Sequence, residues 1–451
     1  MRSFSIQNFG CRVNQAEAFT WAEALERGGL RFEDDWGRSD LVLVNTCTLT
    51  GRADRDVRKF LQRVCRENPG ARLVVTGCWT ESARAKIAGL PQVLLVIPNS
   101  EKGRLPEKVM SLVGRPWPGP DEGRPAAGRP ATFFRARAPL KIQDGCDDRC
   151  TFCIIPSVRG KSVSLSLEEI VARVRDLVAR GFREIVLAGI HLSSYGRDLA
   201  PRRSLLELLR EIEKVEGLGR LRLSSLDPRR LDADLRAHIA GSPKVCPHFH
   251  LSLQHASERV LREMGRTGGP DAFDTLLSDL RARRPEASLG ADVLVGFPGE
   301  TDADFADLRA FLEGSPLTYF HVFSFSPRAG TPASGHTQVP ERVKKERSLV
   351  LRRLSAEKSF RFRAAFAGKT LDAVVIRRGR SGASAETADG AEGADGAGRR
   401  GRSGRPAGAE LLTGNYFKIL VPSCPAPERE IVKVRVVRVL PQSMEGSVGV
   451  S

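Results

Sequence analysis

Three cysteines, Cys146, Cys150 and Cys153, fall within eight positions in QDGCDDRCTFC, in a chain of 451 residues that contains nine. Their C-x3-C-x2-C spacing lets one short loop aim three thiolates at a single point, as an iron–sulfur cluster requires. A four-iron cube held by three thiolates leaves one iron open to another ligand. A zinc site instead shows paired C-x2-C elements or histidines that complete four ligands. His191 could complete such a set, from far along the chain. A trio of merely buried cysteines is the remaining reading, and the density of thiols argues against it.

A second set is dispersed. Cys11 in FGCRVNQAE, Cys47 in VNTCTLT and Cys78 in VTGCW each follow an apolar run of strand length. That puts each at the carboxyl end of a strand, the edge where open α/β sheets build their sites. Three thiols on one edge could hold a second cluster; small buried residues are the alternative. Cys65, Cys246 and Cys424 have no neighbours at ligand spacing and read as structural.

The elements that must position these thiols divide the chain, which is long enough for two or more domains. Residues 1–111 alternate strands (FSIQNFG, LVLVNTC, RLVVTGC, VLLVIPN) with helices near 14–28, 52–67 and 81–88. This predicts a doubly wound parallel sheet. Residues 112–138 are rich in Pro, Gly and Arg and read as a linker. Six further strand–helix units in 139–360 predict a partial TIM-type (β/α)6 barrel, whose working face carries the loops after the strands. Residues 361–445 read as a small antiparallel β-barrel with LLTGNYFKILVP as one strand, split by a low-complexity, disordered insert at 381–410. Such a barrel is a nucleic-acid platform or a structural cap. The fold class is thus α/β multidomain.

Composition narrows the setting. No apolar run reaches the roughly 18 residues of a membrane span, and the first residues lack a secretory apolar region. A cytoplasmic location is expected, where clustered thiols stay reduced and serve metals or catalysis. The formal charge of +17 suits a polyanionic partner such as nucleic acid, or else many solvated surface charges. Between 341 and 380 there are 13 Lys plus Arg against 4 Asp plus Glu.

The C-x3-C-x2-C spacing, with Phe152 before the last cysteine, resembles the radical S-adenosylmethionine enzymes. Over nearly the whole chain, GCRVNQAE, NTCTLTGRADRDVRK, VTGCW, QDGCDDRCTFCIIPSVRGKSVS, VLAGIHLSSYG, RLSSLDP and VLVGFPGETDADF resemble the methylthiotransferase family in its order, most similarly its MtaB branch. The resemblance implies an N-terminal cluster domain, a radical S-adenosylmethionine barrel and a C-terminal TRAM barrel. It implies two 4Fe–4S clusters, with Cys146, Cys150 and Cys153 holding the catalytic one and Cys11, Cys47 and Cys78 an auxiliary one that carries sulfur. S-adenosylmethionine would be both methyl donor and radical source, and carbon 2 of a threonylcarbamoyl-adenosine beside a tRNA anticodon would receive the methylthio group. An external electron donor and a sulfur source are implied as well, and a monomer is expected.

Gly189, Ser224, Ser225, Asp227, Gln254 and Asp292, at or near barrel strand ends, are the candidates for S-adenosylmethionine contact; capping or hydrogen bonding within the barrel is the alternative. Arg361, Arg363 and Lys369 in the basic segment, with Tyr416 and Lys418, are the candidates for RNA contact. By alternation, one of Tyr416 and Phe417 belongs to the barrel core. One departure stands out: where the family reads LQSGS, this chain has Gln254-His255-Ala256-Ser257, which is bulkier. REMGRTGG (262–269) departs more mildly. Rival readings are the branches acting on isopentenyl-adenosine tRNA or on a ribosomal-protein aspartate, and an iron–sulfur RNA-binding protein without catalysis.

Overall fold

The computed structural model describes residues 1–117, 119, 136–378 and 408–449. Most of the linker read at 112–138 and of the insert read at 381–410 lies outside the described residues.

The N-terminal unit comprises β1 (Ser3–Asn8), α1 (Arg12–Arg27), β2 (Arg31–Phe32), β3 (Leu41–Thr46), α2 (Gly51–Glu67), β4 (Arg72–Gly77), α3 (Thr80–Ala88), β5 (Val93–Ile97) and α4 (Leu105–Leu112). Its sheet is parallel throughout, in the order β2-β1-β3-β4-β5. β3 is buried along its whole length, which is why LVLVNT reads as a continuous apolar run rather than an alternating one. α1 and α4 cover one face through Trp21, Leu25 and Val109. α2 and α3 cover the other through Phe60, Leu61 and Ile87, so the sheet is doubly wound. The two-residue edge strand β2 escaped the sequence reading because it carries no periodicity.

The central unit runs β6 (Arg137–Asp144), α5 (Ile155–Arg159), β7 (Val163–Ser164), α6 (Leu167–Ala179), β8 (Glu184–Gly189), α7 (Leu205–Glu213), β9 (Arg220–Leu223), α8 (Ala233–Gly241), β10 (His248–Gln254), α9 (Glu258–Glu263), α10 (Pro270–Arg283), β11 (Ser288–Val295), α11 (Asp302–Gly314), β12 (Tyr319–Ser324) and α12 (Glu341–Ala364). Six parallel strands follow in the order β6-β8-β9 and β10-β11-β12, and isolated bridges Leu221–Val245 and Leu226–Leu251 join the halves. Among the described residues no ladder joins β6 to β12, so the barrel stays open on that side. One large core lies between strands and outer helices. On β10 the inward residues His250, Ser252 and Gln254 are half-buried, while Leu251 and Leu253 between them are buried outward.

The C-terminal unit is a closed barrel of β13 (Thr370–Arg378), β14 (Ala409–Thr413), β15 (Lys418–Val421), β16 (Ile431–Val439) and β17 (Met444–Ser447), in the order β13-β14-β15-β17-β16. Three expectations change here. LLTGNYFKILVP is two strands with a turn between them, because Tyr416 takes φ +74°. The barrel is not wholly antiparallel, since β15 and β17 run parallel. Ala409 and Glu410, read as part of the insert, pair with Val421 and Leu420.

The β14–β15 turn closes the lower end of the central barrel. Arg222 donates to the carbonyls of Gly414 and Thr413 at 2.9 and 3.0 Å, and Arg220 to that of Leu412 at 2.8 Å. Both guanidinium groups also donate to the fully buried Glu184, at 2.6 and 2.8 Å. Burial opposes the charge on Glu184, but Arg222, Arg220 and Arg137 outweigh it and bring its carboxyl down to about 2. Glu184→Leu leaves two buried guanidiniums without a carboxylate and should cost about 3–5 kcal/mol. The sign with pH follows from the depressed carboxyl. The wild-type advantage over Glu184→Leu is full above the ordinary value of 4.5 and fades as pH falls toward 2. Denaturant unfolding of both proteins at stepped pH measures it; an advantage that is constant between pH 5 and 2.5 would contradict this account.

Candidate metal centres and the space between them

β1, β3 and β4 are neighbours, so Cys11, Cys47 and Cys78 leave the sheet at one edge, across the point where strand order reverses. Gly10, at φ +126°, permits the approach: a Cβ there would stand 2.9 Å from Cys47 Cβ and 3.2 Å from its Sγ. Gly77, at φ +107°, has no room either, since a Cβ would lie 2.3 Å from the carbonyl oxygen of Thr46. Asn14 then ties the edge together, donating to the carbonyls of Phe9 and Thr46, both at 3.0 Å. Its Oδ1 accepts from the Cys11 thiol at 3.6 Å. Cys47 and Cys78 are buried. Burial, with the nearby Cys11 and Cys78 thiols, pushes Cys47 up to about 12.

Cys146, Cys150 and Cys153 occupy the loop after β6. Gly145, at φ +68°, turns the chain where a Cβ would collide with the Lys161 carbonyl at 1.9 Å. The loop is pinned by Cys146 N–H to Gly160 O at 3.1 Å, Cys153 N–H to Cys150 O at 3.1 Å and Thr151 N–H to Met264 O at 3.0 Å. Phe152 packs with Val260, Met264 and Phe297, so the aromatic before the last cysteine anchors the loop. Burial pushes the free thiols of Cys146 and Cys153 up to about 11 and 12. Any metal they take must therefore release protons. Sulfur donors in threes, held by backbone before any metal arrives, fit iron–sulfur clusters better than a four-ligand zinc site.

The two thiol sets adjoin. Cys78, Cys146 and Cys153 pack in one apolar cluster with Ile155, Val158 and Ile190. Arg159, on α5 six residues past Cys153, donates Nε to Cys78 Sγ at 3.3 Å and Nη2 to Asn14 Oδ1 at 2.5 Å. Its Nη1 reaches Glu17 at 3.2 Å and Asp144 at 2.7 Å. Glu17 is held besides by Lys102 at 2.8 Å and Lys141 at 3.4 Å. One buried ion network thus spans the N-terminal unit and the barrel.

His191 stands beside the trio, with a ring nitrogen, Cys146 Sγ and an Asp148 oxygen all within 4.8 Å of one another, and it is engaged by two carboxylates. Its Nε2 lies 3.3 Å from Asp148 and 3.2 Å from Asp227. Burial disfavours its charge, but the two carboxylates raise it to about 9. Asp227 is further held by Arg229 at 2.5 Å and Arg266 at 3.4 Å, while Arg266 also reaches Cys150 Sγ at 3.7 Å.

The other cofactor candidates divide by depth. Gly189 donates to Ser224 Oγ at 3.3 Å and makes room for Gln143, whose Oε1 sits 3.1 Å from where a Cβ would be. Ser224 and Ser225 are half-buried just past β9. Gln254 ends β10 at φ +74°, after a register shift. Asp292 lies deeper, in mid-strand, with His250 Nε2 at 2.9 Å and His321 Nδ1 at 3.5 Å. The bulk of His255 is absorbed by packing: it is fully buried, its Nδ1 accepts from Ser257 N–H at 3.0 Å, and burial keeps it neutral, down to about 4.

Of the RNA candidates, Arg361, Lys369 and Lys418 are exposed. Arg363 instead ties α12 to the C-terminal barrel, donating to the Leu440 carbonyl at 3.1 Å. Tyr416 is a correction. Carried on the turn that enters the central barrel, it stacks on His248 at 4.8 Å and is ringed by Arg12, Arg137 and Arg222 at 5.6, 5.6 and 4.8 Å, so it is no outer stacking platform. Phe417 lies in the barrel core, as alternation required. Sequence reasoning missed Arg159, Arg266, Arg12 and the His250–Tyr319–His248 row. The two histidines of the row left a signal in the period-two polar pattern of HFHLSLQ, and the three arginines lie inside the quoted motifs GCRVNQAE, QDGCDDRCTFCIIPSVRGKSVS and REMGRTGG without any pattern that singles them out.

Among the described residues, no helix is long and apolar enough to cross a membrane. A family profile described as Radical SAM superfamily matches residues 140–312, and one described as Uncharacterized protein family UPF0004 matches residues 3–97. The threonylcarbamoyladenosine tRNA methylthiotransferase MtaB of Thermotoga maritima is 37% identical over 374 residues, covering 82% of this chain and 85% of that protein. Its namesake in Aquifex aeolicus is 36% identical over 392 residues, covering 83% and 93%. That of Bacillus subtilis is 32% identical over 390 residues, covering 83% and 85%. The solved structure of the radical S-adenosylmethionine methyltransferase TsrM from Kitasatospora setae shares the fold, with a TM-score of 0.54 at 18% identity, over 74% of this chain and 77% of that one. With a doubly wound sheet, an open six-stranded barrel and a closed five-stranded barrel in the same chain as these matches, the chain belongs to the MtaB family of radical S-adenosylmethionine methylthiotransferases.

Proposed function

We propose that this chain is a cytoplasmic tRNA methylthiotransferase that modifies carbon 2 of threonylcarbamoyl-adenosine beside the anticodon. The observation that carries the reading is that Cys78 of one three-thiol set packs in one apolar cluster with Cys146 and Cys153 of the other, while Arg159 on α5 donates to Cys78. Cys146, Cys150 and Cys153 hold one 4Fe–4S cluster, and Cys11, Cys47 and Cys78 hold the other. When bound, the two clusters and S-adenosylmethionine supply the radical, the sulfur and the methyl group.

The chain's own residues position and shield. Gly189, Ser224, Ser225 and Gln254 line the strand ends above the first cysteine loop and orient S-adenosylmethionine there. Asp227, saturated by His191, Arg229 and Arg266, holds that wall rigid and keeps the Arg266 guanidinium against Cys150. The apolar packing of Ile155, Val158 and Ile190 excludes water between the thiol sets. Arg361, Lys369 and Lys418 contact tRNA phosphates, and their affinity falls with salt. The enzyme works as a monomer and draws on an external electron donor and sulfur source.

Anaerobic reconstitution with iron and sulfide, then reaction with S-adenosylmethionine, reductant and threonylcarbamoyl-adenosine tRNA, tests the reading. About eight irons per chain, as two four-iron cubes require, with 5′-deoxyadenosine and a methylthio nucleoside by mass spectrometry, is the expected result. Cleavage without a modified nucleoside would remove this tRNA as the substrate.

A further inference from the structure

We propose that Arg12 receives the carboxylate of the substrate's threonyl group, with Tyr416 beside it, and that this contact makes the enzyme prefer an acidic N6 substituent. The inference rests on the reading just given, which supplies the substrate.

Charge balance in the barrel lumen points to it. Arg12, Arg137 and Arg222 surround Tyr416. Glu184 is already engaged by Arg220 and Arg222, with Arg137 at 3.7 Å, and Asp292 by His250 and His321. Arg12 differs from its neighbours. Its guanidinium donates to Gln15 Oε1 at 2.9 Å and to the Tyr416 hydroxyl, both uncharged groups, and among the described residues it forms no ion pair. A half-buried guanidinium with neutral partners has lost water without gaining an anion. Its planar fork matches a carboxylate in bidentate geometry, where an ammonium would not.

Position agrees with charge. Arg12 is the first residue of α1 and directly follows Cys11, one thiol of the N-terminal set. The threonylcarbamoyl group leaves the purine at N6, on the other side of N1 from carbon 2. It can therefore extend toward Arg12 while carbon 2 faces the sulfur ligands. The surroundings report the same positive field: burial would raise the Tyr416 hydroxyl, yet the three guanidiniums bring it to about 8. Burial, Arg222, His250 and Arg12 drive His248 well below its ordinary value, so it stays neutral beside Tyr416.

The test uses the reconstituted full chain and two anticodon stem-loop RNAs that differ only in the threonyl carboxylate or its carboxamide. Wild type should favour the carboxylate by about 10- to 100-fold in kcat/KM, the range of a hydrogen bond to a charged group. Arg12→Gln should bring that ratio near one, chiefly through KM, and Arg12→Lys should restore part of it. Equal use of both RNAs by wild type, or an equal fall on both in Arg12→Gln, would overturn the proposal while leaving the function intact. A wild-type enzyme that cleaves S-adenosylmethionine yet methylthiolates neither RNA would overturn the function and this assignment together.

Discussion

Cys150→Ala is expected to abolish both S-adenosylmethionine cleavage and the methylthio product, whereas Cys47→Ala should keep cleavage and lose the product. The split follows from where the two thiols are anchored. Cys150 belongs to a loop fastened to α9 through Thr151, Glu263 and Met264, and its sulfur faces Arg266. Cys47 belongs to the sheet edge of the N-terminal unit, against Gly10. Removing Cys47 leaves the barrel loop and its backbone bonds untouched. Each variant should carry about four irons where wild type carries about eight. A Cys47→Ala enzyme that still forms the methylthio nucleoside would sink the assignment of the second set, whatever its iron content.

The second large effect concerns stability. Arg159→Met should destabilise the folded chain by about 3 kcal/mol, the lower end of the cost of breaking a buried ion pair. The side chains of Arg159 and Glu17 are only 2% and 3% exposed, so water does not replace the lost contact. The effect stays at the lower end because Glu17 keeps Lys102 at 2.8 Å. Asp144 loses its 2.7 Å partner and retains Lys141 at 3.0 Å. Because the network joins two units, Arg159→Met should also expose their contact. Denaturant unfolding with limited proteolysis reads both effects, and a variant as stable and as protected as wild type would show that the bridge carries no weight. Arg159→Lys should recover part of the loss, since an ammonium can meet Glu17 but cannot reach Asn14 and Cys78 with the same fork.

Much of the architecture was legible because it is local. Strands such as LVLVNT and helices such as Gly51–Glu67 follow from runs and periods a few residues long. The three cysteines after β6 share one loop, so their convergence is a matter of spacing alone. Cys11, Cys47 and Cys78 could be grouped because parallel strands present their carboxyl ends on one edge. The turn in LLTGNYFKILVP was less legible: its positive φ falls on a tyrosine, not on a glycine that would have announced it.

Cysteine spacing and strand periodicity were therefore enough to read the fold class and to group both thiol sets, and the resemblance to methylthiotransferases lay in motifs such as GCRVNQAE, NTCTLTGRADRDVRK and VTGCW in their order. The contacts that join the units were not readable in that way. Arg159 and Cys78 are 81 residues apart, Arg222 and Gly414 are 192 apart, and Arg12 and Tyr416 are 404 apart. No period or spacing relates such positions in one sequence. Tyr416 read as a stacking aromatic on a single strand, and Arg12 is one of 71 Lys and Arg residues. Each gained its present surroundings only when the N-terminal unit and the β14–β15 turn packed against the central barrel, and buried charges then had to find partners there, because unpaired they would cost several kcal/mol each.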